Sequence, residues 1–328
     1  TASTILFNGM INPLMQFSIK GFLWYQGEAN NSIFTGPNYT LLNTVMINDW
    51  RTRWGEGDIP FYYVQLPAYK TVSPSFRDQQ TNLLTLPNTG MAVILELGET
   101  DNIHPLNKLD VGVRLSKIAI AKIYGQDITY SGPMYKSMNI EGNKIRVIFH
   151  PASIGDGLIT RDGGPLSDFE VAGDNGIYFP ANAIIDGNNV LVSSTNVSSP
   201  TKVRFAYSNT PYPNFINKDS LTACPFSSEN WNDNISVEPI VNKINNVINK
   251  SFNIFPVPVD DYLKIKFEDY HTNIKLELFD VLGKSHLNSN VNLNSNSAII
   301  DVSGFSKGLY ILRMTVDRQV ISKTFIKR

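Results

Sequence analysis

The sequence predicts an α/β domain, then an all-β domain, then a small β-sandwich at the C-terminus. Short apolar runs alternate with helix-like segments over residues 1–124, a pattern typical of a parallel sheet covered by helices. From there to residue 231, short alternating runs are separated by Gly-Asn, Asp-Gly and Gly-Gly pairs, which favours β-structure alone. Strand patterns return over residues 252–328. We therefore expect an α/β domain at 1–124, a β-rich domain at 125–231 and a third domain at 252–328. The asparagine-rich segment 232–251 is interpreted as a linker.

The predicted elements of the α/β domain follow from length and apolar spacing. Strands buried on both faces read as short continuous apolar runs, and helices place apolar residues three or four positions apart. These rules predict strands at 21–25, 61–64 and 91–97, and helices at 39–54, 75–86 and 111–124 with Gly125 as the stop. Similar alternation predicts later strands at 145–149, 190–192, 203–207, 262–267, 274–279 and 309–316.

Composition excludes several classes of function. The net charge is −1, which gives no general electrostatic reason to bind nucleic acid or an anionic membrane. No apolar run in the sequence approaches the ~18 residues of a membrane span. The one cysteine, Cys224, excludes an internal disulfide and a cysteine-rich zinc site, and we expect it to be a small buried hydrophobic residue. The first ten residues do not resemble a signal peptide, so we expect any export signal to lie upstream.

Two polar segments directly follow predicted buried strands. Residues 24–30 read Trp-Tyr-Gln-Gly-Glu-Ala-Asn, and residues 101–105 read Asp-Asn-Ile-His-Pro. Open α/β sheets bind ligands outside the carboxyl ends of their strands. We therefore expect both segments to contribute to one site.

These residue types suit ester hydrolysis by a hydroxyl nucleophile. The imidazole of His104 can accept a proton near neutral pH and return it to a leaving alcohol, and Asp101 can orient the ring. Gln26 offers an amide donor for a developing oxyanion, and Glu28 is placed to fix that amide. Taken singly, each feature equally suits a surface pair or a turn.

Taken together, the segments resemble the sialate O-acetylesterase branch of the SGNH hydrolases. The resemblance rests on residues 8–14, 21–30 and 101–105 and continues through shorter matches to Trp231. Arg77 and Gln80 fall where that family has an Arg-x-x-Gln pair. The resemblance implies a flavodoxin-like SGNH fold, a serine esterase acting on O-acetylated carbohydrate, and no metal or organic cofactor.

By the same resemblance, the site residues divide into two groups. His104, Asp101 and Gln26 are catalytic, and the residues that contact substrate or support the site are Glu28, Asn30, Arg77 and Gln80.

The family's nucleophilic serine lies in a block upstream of the Trp-Tyr-Gln-Gly-Glu segment, and no such block occurs before Trp24. One account is that this chain is a fragment, which we then expect to be inactive alone. The other is a protein without the serine. The candidates nearest the two segments are Ser32, Ser73, Ser75 and Ser116, and none follows a predicted strand in a tight glycine turn.

A different family resemblance covers residues 252–328. The Phe-Pro-Val-Pro opening, the Leu-Phe-Asp-Val-Leu-Gly-Lys run at 278–284 and the basic end are similar to the C-terminal sorting domain of type IX secretion substrates. This implies a secreted or surface protein of a Gram-negative bacterium, handled by the type IX machinery. A generic sugar-binding β domain is the alternative. Within it, Gly304-Phe305-Ser306-Lys307-Gly308 fits a nucleophile elbow, but a strand is predicted after it where an elbow needs a helix, so we expect a turn.

The sequence leaves three functions open. The first is a carbohydrate O-acetylesterase of the sialate type. The second is a secreted carbohydrate-binding protein without turnover. The third is an acetylesterase for plant polysaccharides such as acetylxylan.

Overall fold

The computed structural model describes residues 4–31, 39–235, 252–267, 274–280, 284–291, 297–316 and 319–328. The chain divides into two compact units. One contains Gly21–Met46 and Pro60–Ile240, and the other contains Thr1–Lys20, Ile47–Ile59 and Val241–Arg328. The asparagine-rich segment lies outside the described residues from position 236 to 251.

A three-stranded parallel sheet forms the centre of the α/β region. Its strands are β1 (Phe22–Trp24), β2 (Phe61–Val64) and β3 (Thr89–Ala92), in the order β1-β2-β3. Registers such as Phe22 to Phe61 and Phe61 to Thr89 bring the carboxyl ends of all three strands to one edge. These three strands are parallel, as the α/β interpretation expects, and the wider flavodoxin-like arrangement stays a prediction.

Three helices accompany the sheet: α1 (Tyr39–Trp54), α2 (Pro74–Asn82) and α3 (Lys108–Lys122). Ser73 caps α2 by accepting from the amide of Phe76, with proline at the first helical position. The Asn107 side chain caps α3 in the same way. Gly125 beyond α3 has φ +65°, which suits the predicted helix stop.

Two sequence predictions about strands are wrong. The predicted strand at 91–97 ends at Ala92, and Leu95–Leu97 form a 3₁₀ turn instead. Strand β1 is not buried on both faces, because the side chain of Leu23 is 66% exposed. Both errors have one cause: apolar residues at a strand end or a sheet edge look the same in sequence as residues in a buried strand centre.

Side chains from the sheet and from α3 share one core. Tyr62 and Val64 of β2 and Ala92 of β3 pack with Leu115 and Ile118 of α3. The spacing that predicted α3 is therefore the spacing of its buried face.

The region after α3 is all-β, as predicted. Its strands are β4 (Tyr135–Glu141), β5 (Lys144–Phe149), β6 (Leu158–Thr160), β7 (Phe169–Ala172), β8 (Phe179–Pro180), β9 (Asn182–Asp186), β10 (Asn189–Ser193), β11 (Lys202–Phe205), β12 (Phe215–Asn217) and β13 (Phe226–Ser227). They form antiparallel sheets in the orders β4-β5-β10-β9, β13-β11-β7-β8 and β12-β6. Phe149, Phe169, Phe205 and Phe215 pack together between them.

The C-terminal part is a β-sandwich. Its strands are β14 (Phe252–Phe255), β15 (Tyr262–Phe267), β16 (Ile274–Asp280), β17 (Ser285–Val291), β18 (Ser297–Asp301), β19 (Gly308–Val316) and β20 (Gln319–Lys327). The sheets β14-β15-β18 and β17-β16-β19-β20 share one buried core. Ser306 lies in a turn before β19, as predicted, and its carbonyl accepts from the hydroxyl of Tyr310. In the described parts of the chain, no helix has the length and apolar character needed to cross a bilayer.

Candidate active site

Three loops follow the three parallel strands at the carboxyl edge of the sheet. The first loop (residues 25–31) follows β1, the second (65–73) follows β2, and the third (95–107) follows β3. Gln26 lies in the first loop, and Asp101 and His104 lie in the third. The sheet thus places both predicted polar segments at one edge, with the second loop between them.

The first loop holds the amide of Gln26 in place. Gln26 Nε2 donates to Asn30 Oδ1 at 2.7 Å, and the Gln26 carbonyl accepts from the hydroxyl of Tyr39 at 2.8 Å. An amide nitrogen has two hydrogens, and the second has no acceptor among the described residues. The partner that orients Gln26 is therefore Asn30, not Glu28 as the sequence suggested.

Gly27 has to be glycine for this loop to pack. A Cβ atom there would lie 3.0 Å from the ring of Phe76 and 3.2 Å from Leu66, on a backbone with φ +156°. The loop therefore lies directly against the start of α2.

Glu28 is half-buried, and the described residues provide its carboxylate with no hydrogen bond. Burial, followed by the Glu28 charge, raises the pKa of Tyr25 to about 12. The ammonium of Lys108, at the start of α3, lies 5.1 Å from the centre of the Tyr25 ring. This contact joins the first loop to the segment that follows the third.

The third loop is organised around the carboxylate of Glu99. It accepts from the backbone amide of Leu106 at 2.8 Å and from Asn102 Nδ2 at 3.0 Å. These two hydrogen bonds hold the pKa of Glu99 below its usual value. Asn102 Oδ1 in turn accepts from the backbone amide of His104 at 3.0 Å. The backbone that carries His104 is thus fixed by the loop itself.

The side chains of Asp101 and His104 are both exposed, and they do not contact each other. Asp101 Oδ1 lies 3.2 Å from Lys70 Nζ, and the Asp101 side chain is 84% exposed. The described part of the chain offers the His104 imidazole no hydrogen bond or ion pair. The structure therefore shows both residues on one loop without a bond between them.

The second loop connects the other two. Its Lys70 amide donates to the carbonyl of Thr100, and Gly98 lies so close to Ala68 that a Cβ atom would meet the Ala68 carbonyl oxygen at 2.3 Å. On the other side, Asn31 donates to the carbonyl of Thr71 and accepts from the Ser73 amide. Sequence reasoning did not identify Asn31 or Lys70. Their contacts cross between loops, and the only available signal was their position beside the polar segments.

Arg77 and Gln80 are fully buried and form hydrogen bonds with the second loop. The Arg77 guanidinium donates to the carbonyls of Leu66 and Pro67 at 3.0 and 2.9 Å. It also donates to the carbonyls of Ser208 and Asn209, both at 2.8 Å. The Gln80 amide accepts from the Leu66 amide and donates to the Val64 carbonyl. These contacts give both residues a supporting position.

The serines near the polar segments have structural partners. Ser73 Oγ caps α2 and lies 3.2 Å from Ser75 Oγ, and Ser116 Oγ donates to the carbonyl of Val113 within α3. Ser32 lies outside the described residues. Cys224 is buried, as predicted, and burial raises its pKa to about 12.

Known proteins match the two ends of the chain. Residues 4–120 match the family profile described as carbohydrate esterase, sialic acid-specific acetylesterase, and residues 253–328 match that of the secretion system C-terminal sorting domain. The sialate O-acetylesterase of Mus musculus is 34% identical over 164 residues, which is 43% of this chain and 30% of the mouse protein. That of Homo sapiens is 32% identical over 165 residues, 43% of this chain and 31% of the human protein.

A solved structure supports the same relationship. A carbohydrate acetylesterase from Xanthomonas citri is 38% identical, with a TM-score of 0.66, over 69% of this chain and 54% of the other. The chain thus spans about a third of the curated relatives and about half of the Xanthomonas chain. Residues 4–120 are therefore similar to the carbohydrate esterases described as sialic acid-specific acetylesterases, and residues 253–328 match a secretion sorting domain, which marks a secreted or cell-surface protein of Gram-negative bacteria.

Proposed function

We propose that this chain supplies the histidine, the aspartate and the oxyanion donor of a carbohydrate O-acetylesterase, with sialic acid esters as its substrates. The observation that carries the proposal is the joining of the Gln26 loop and the Asp101–His104 loop at one sheet edge by the second loop, within the family-matched residues. As part of this proposal, the α/β region adopts the flavodoxin-like fold of the SGNH hydrolases.

The nucleophile in this proposal is a serine outside the 328 residues. Its Oγ attacks the acetyl carbonyl while His104 takes its proton, and a tetrahedral intermediate forms. The sugar oxygen then leaves with the proton from His104, and an acetyl-serine remains. Water, deprotonated by His104, attacks this ester and releases acetate and the free serine.

Asp101 has to turn from Lys70 to His104 for this chemistry. The Asp101–Lys70 pair has a length of 3.2 Å, with side chains 84% and 55% exposed. Exposed ion pairs contribute only about 0–1 kcal/mol, so the pair presents a small barrier to the change. Catalytic hydrogen bonds are often open before substrate binds. Lys70→Met should therefore leave the hydrolysis rate at least as high as in the wild type.

Gln26 stabilises the oxyanion in this proposal. One hydrogen of its Nε2 is held by Asn30 at 2.7 Å, which fixes the direction of the other. A donor that is fixed before the reaction stabilises developing charge without reorganisation.

The carboxyl-terminal sandwich is proposed to hand the protein to the type IX secretion machinery. The match to a sorting domain over residues 253–328 supports this partner. The proposed hydrolysis mechanism uses no residue of that sandwich.

The test compares His104→Ala with His150→Ala in the full-length protein. His150 is the other histidine of the same compact unit and serves as the matched control. Hydrolysis of 4-nitrophenyl acetate and of 9-O-acetylated sialic acid should fall by about 10²–10⁴-fold in His104→Ala and stay near the wild-type rate in His150→Ala, with both variants folded by circular dichroism.

A fluorophosphonate probe locates the nucleophile. The expected label is on a serine outside residues 1–328, and labelling of Ser73, Ser75 or Ser116 would contradict the proposal. Full activity in His104→Ala would also overturn it. A wild-type protein that binds the sugar but hydrolyses neither ester would identify a carbohydrate-binding protein, and a preference for acetylated xylan would identify the plant-polysaccharide enzyme.

A further inference from the structure

A segment of the β-rich region lies against the second loop of the candidate active site. The carbonyl of Asn209 accepts from the Tyr69 amide at 3.2 Å, and Asn209 Nδ2 donates to the Lys70 carbonyl at 2.9 Å. Arg77 also donates to the carbonyls of Ser208 and Asn209. Four hydrogen bonds therefore fix residues 208–209 beside the loop that pairs with Asp101.

Three residues further on, the side chain of Tyr212 is 68% exposed. Its neighbours Pro211 and Pro213 are both buried, so the backbone on each side is anchored and the tyrosine is held outward. Because the φ angle of each proline is fixed, this arrangement limits the freedom of the backbone that carries the exposed ring.

The guanidinium of Arg161 lies 5.8 Å from the centre of the Tyr212 ring. One of its nitrogens, Nη2, donates to Thr222 Oγ1 at 3.0 Å and lies 3.7 Å from Glu96 Oε1. The Nε and Nη1 groups have no hydrogen-bond partner among the described side chains and carbonyls, and Arg161 is one third exposed. Spare planar donors thus lie beside an exposed aromatic face.

Both members of this pair are tied to the candidate active site. Tyr212 is three residues from Asn209, a span of at most about 11 Å. Glu96, the ion partner of Arg161, is five residues before Asp101 on the third loop and only 8% exposed. Tyr212 and Arg161 therefore adjoin the second and third loops of the candidate active site.

We propose that Tyr212 and Arg161 form a carbohydrate subsite beside the esterase site, which takes the ring of the acetylated sugar. The aromatic face packs against the C–H face of a pyranose. The free N–H groups of Arg161 donate to an oxygen acceptor on that ring, either a hydroxyl or a carboxylate. This subsite rests on the proposed esterase function, because it selects the substrate of that reaction.

Tyr212→Ala, Tyr212→Phe and Tyr124→Ala in the full-length protein test the subsite. Tyr124 is also exposed, at 64%, and is the control for removing a surface tyrosine. Tyr212→Ala should raise KM for the acetylated sugar roughly tenfold, which corresponds to about 1.4 kcal/mol. Tyr212→Phe and Tyr124→Ala should leave KM unchanged. All variants should hydrolyse 4-nitrophenyl acetate at the wild-type rate, since that ester has no sugar ring.

Arg161→Lys identifies the acceptor. A lysine keeps the charge but loses the planar donors. If the acceptor is the carboxylate, Arg161→Lys should weaken hydrolysis of acetylated sialic acid more than that of acetylated xylose. If the acceptor is a hydroxyl, the variant should weaken hydrolysis of both sugars equally. An unchanged KM for the sugar in Tyr212→Ala would overturn the subsite while leaving the esterase proposal in place.

Binding provides a test that does not depend on turnover. Calorimetric titration of the 328-residue chain with acetylated sialic acid and acetylated xylose should show a weaker Kd in Tyr212→Ala than in Tyr124→Ala for the sugar that binds. An equal Kd in the two variants, or no binding of either sugar to the wild type, would overturn the subsite. Failure of the esterase proposal would instead appear as loss of 4-nitrophenyl acetate hydrolysis in the wild type.

Discussion

Replacement of Arg77 by methionine is expected to be the most destabilising single change in the α/β region. The guanidinium is 0% exposed and donates to four backbone carbonyls at 2.8–3.0 Å. Burial lowers its pKa to about 10, so it remains charged at neutral pH. Methionine fills similar space but leaves all four carbonyls without this donor.

The expected loss can be estimated from the four hydrogen bonds. Bonds to a charged group each contribute about 1.5–3 kcal/mol net, and partial rehydration of the carbonyls at Ser208 and Asn209 recovers part of that. We therefore expect the free energy of unfolding to fall by roughly 4–6 kcal/mol, a large fraction of the ~5–15 kcal/mol of a typical domain. The free energy of unfolding of Arg77→Lys should lie between those of the wild type and Arg77→Met, because an ammonium has three donors for four carbonyls.

Urea unfolding followed by tryptophan fluorescence measures this loss. The control is Arg53→Met, which removes an exposed arginine paired with Asp49 on α1 and should cost less than about 1 kcal/mol. If Arg77→Met unfolds at the same urea concentration as Arg53→Met, then the guanidinium does not stabilise the second loop and residues 208–209, and its supporting position is refuted.

Three further predictions follow from the described contacts. Gln26→Ala should lower kcat far more than it raises KM, since an oxyanion donor acts in the transition state; a change in KM alone would make Gln26 a substrate-binding residue. Burial lowers the pKa of Lys122 to about 8. The unfolded state therefore binds more protons than the folded state between pH 8 and about 10.5. The free energy of unfolding should rise with pH over that range. Lys122→Met should abolish this rise in urea titrations, and a rise that persists in the variant would assign it to another group. Removal of residues 252–328 should leave ester hydrolysis by the purified full-length enzyme unchanged and retain the protein in the periplasm; secretion at the normal level would refute the sorting role.

Much of the α/β fold could be predicted because its signals are local. Helix α1 has the bounds that its apolar spacing predicts, and Phe61–Val64 forms the predicted strand. The early end of β3 could not be predicted. The apolar run continues past Ala92 through Val93, Ile94 and Leu95, which are buried although they follow the strand. A local pattern of apolar residues does not show where strand pairing stops.

The candidate site shows the same division. The placement of Gln26 and His104 at one sheet edge follows from their positions directly after parallel strands, which the sequence predicts. The partners of the side chains do not: Asn30 rather than Glu28 holds Gln26, and Lys70 contacts Asp101. Each of these depends on a few ångströms of side-chain position, which residue type alone does not determine.

The contacts of the second loop explain how the separate loops of the candidate active site are held together. This loop contacts the first loop through Asn31 and the third through Lys70 and Gly98. It is itself held by Arg77 through the carbonyls of Leu66 and Pro67. The same guanidinium binds the segment that leads to Tyr212. A substitution of Arg77 should therefore impair both acyl transfer and sugar binding, whereas a substitution of Tyr212 should impair sugar binding alone. Comparing KM for the sugar with kcat for 4-nitrophenyl acetate in Arg77→Lys and Tyr212→Ala separates the support of the site from the recognition of its substrate.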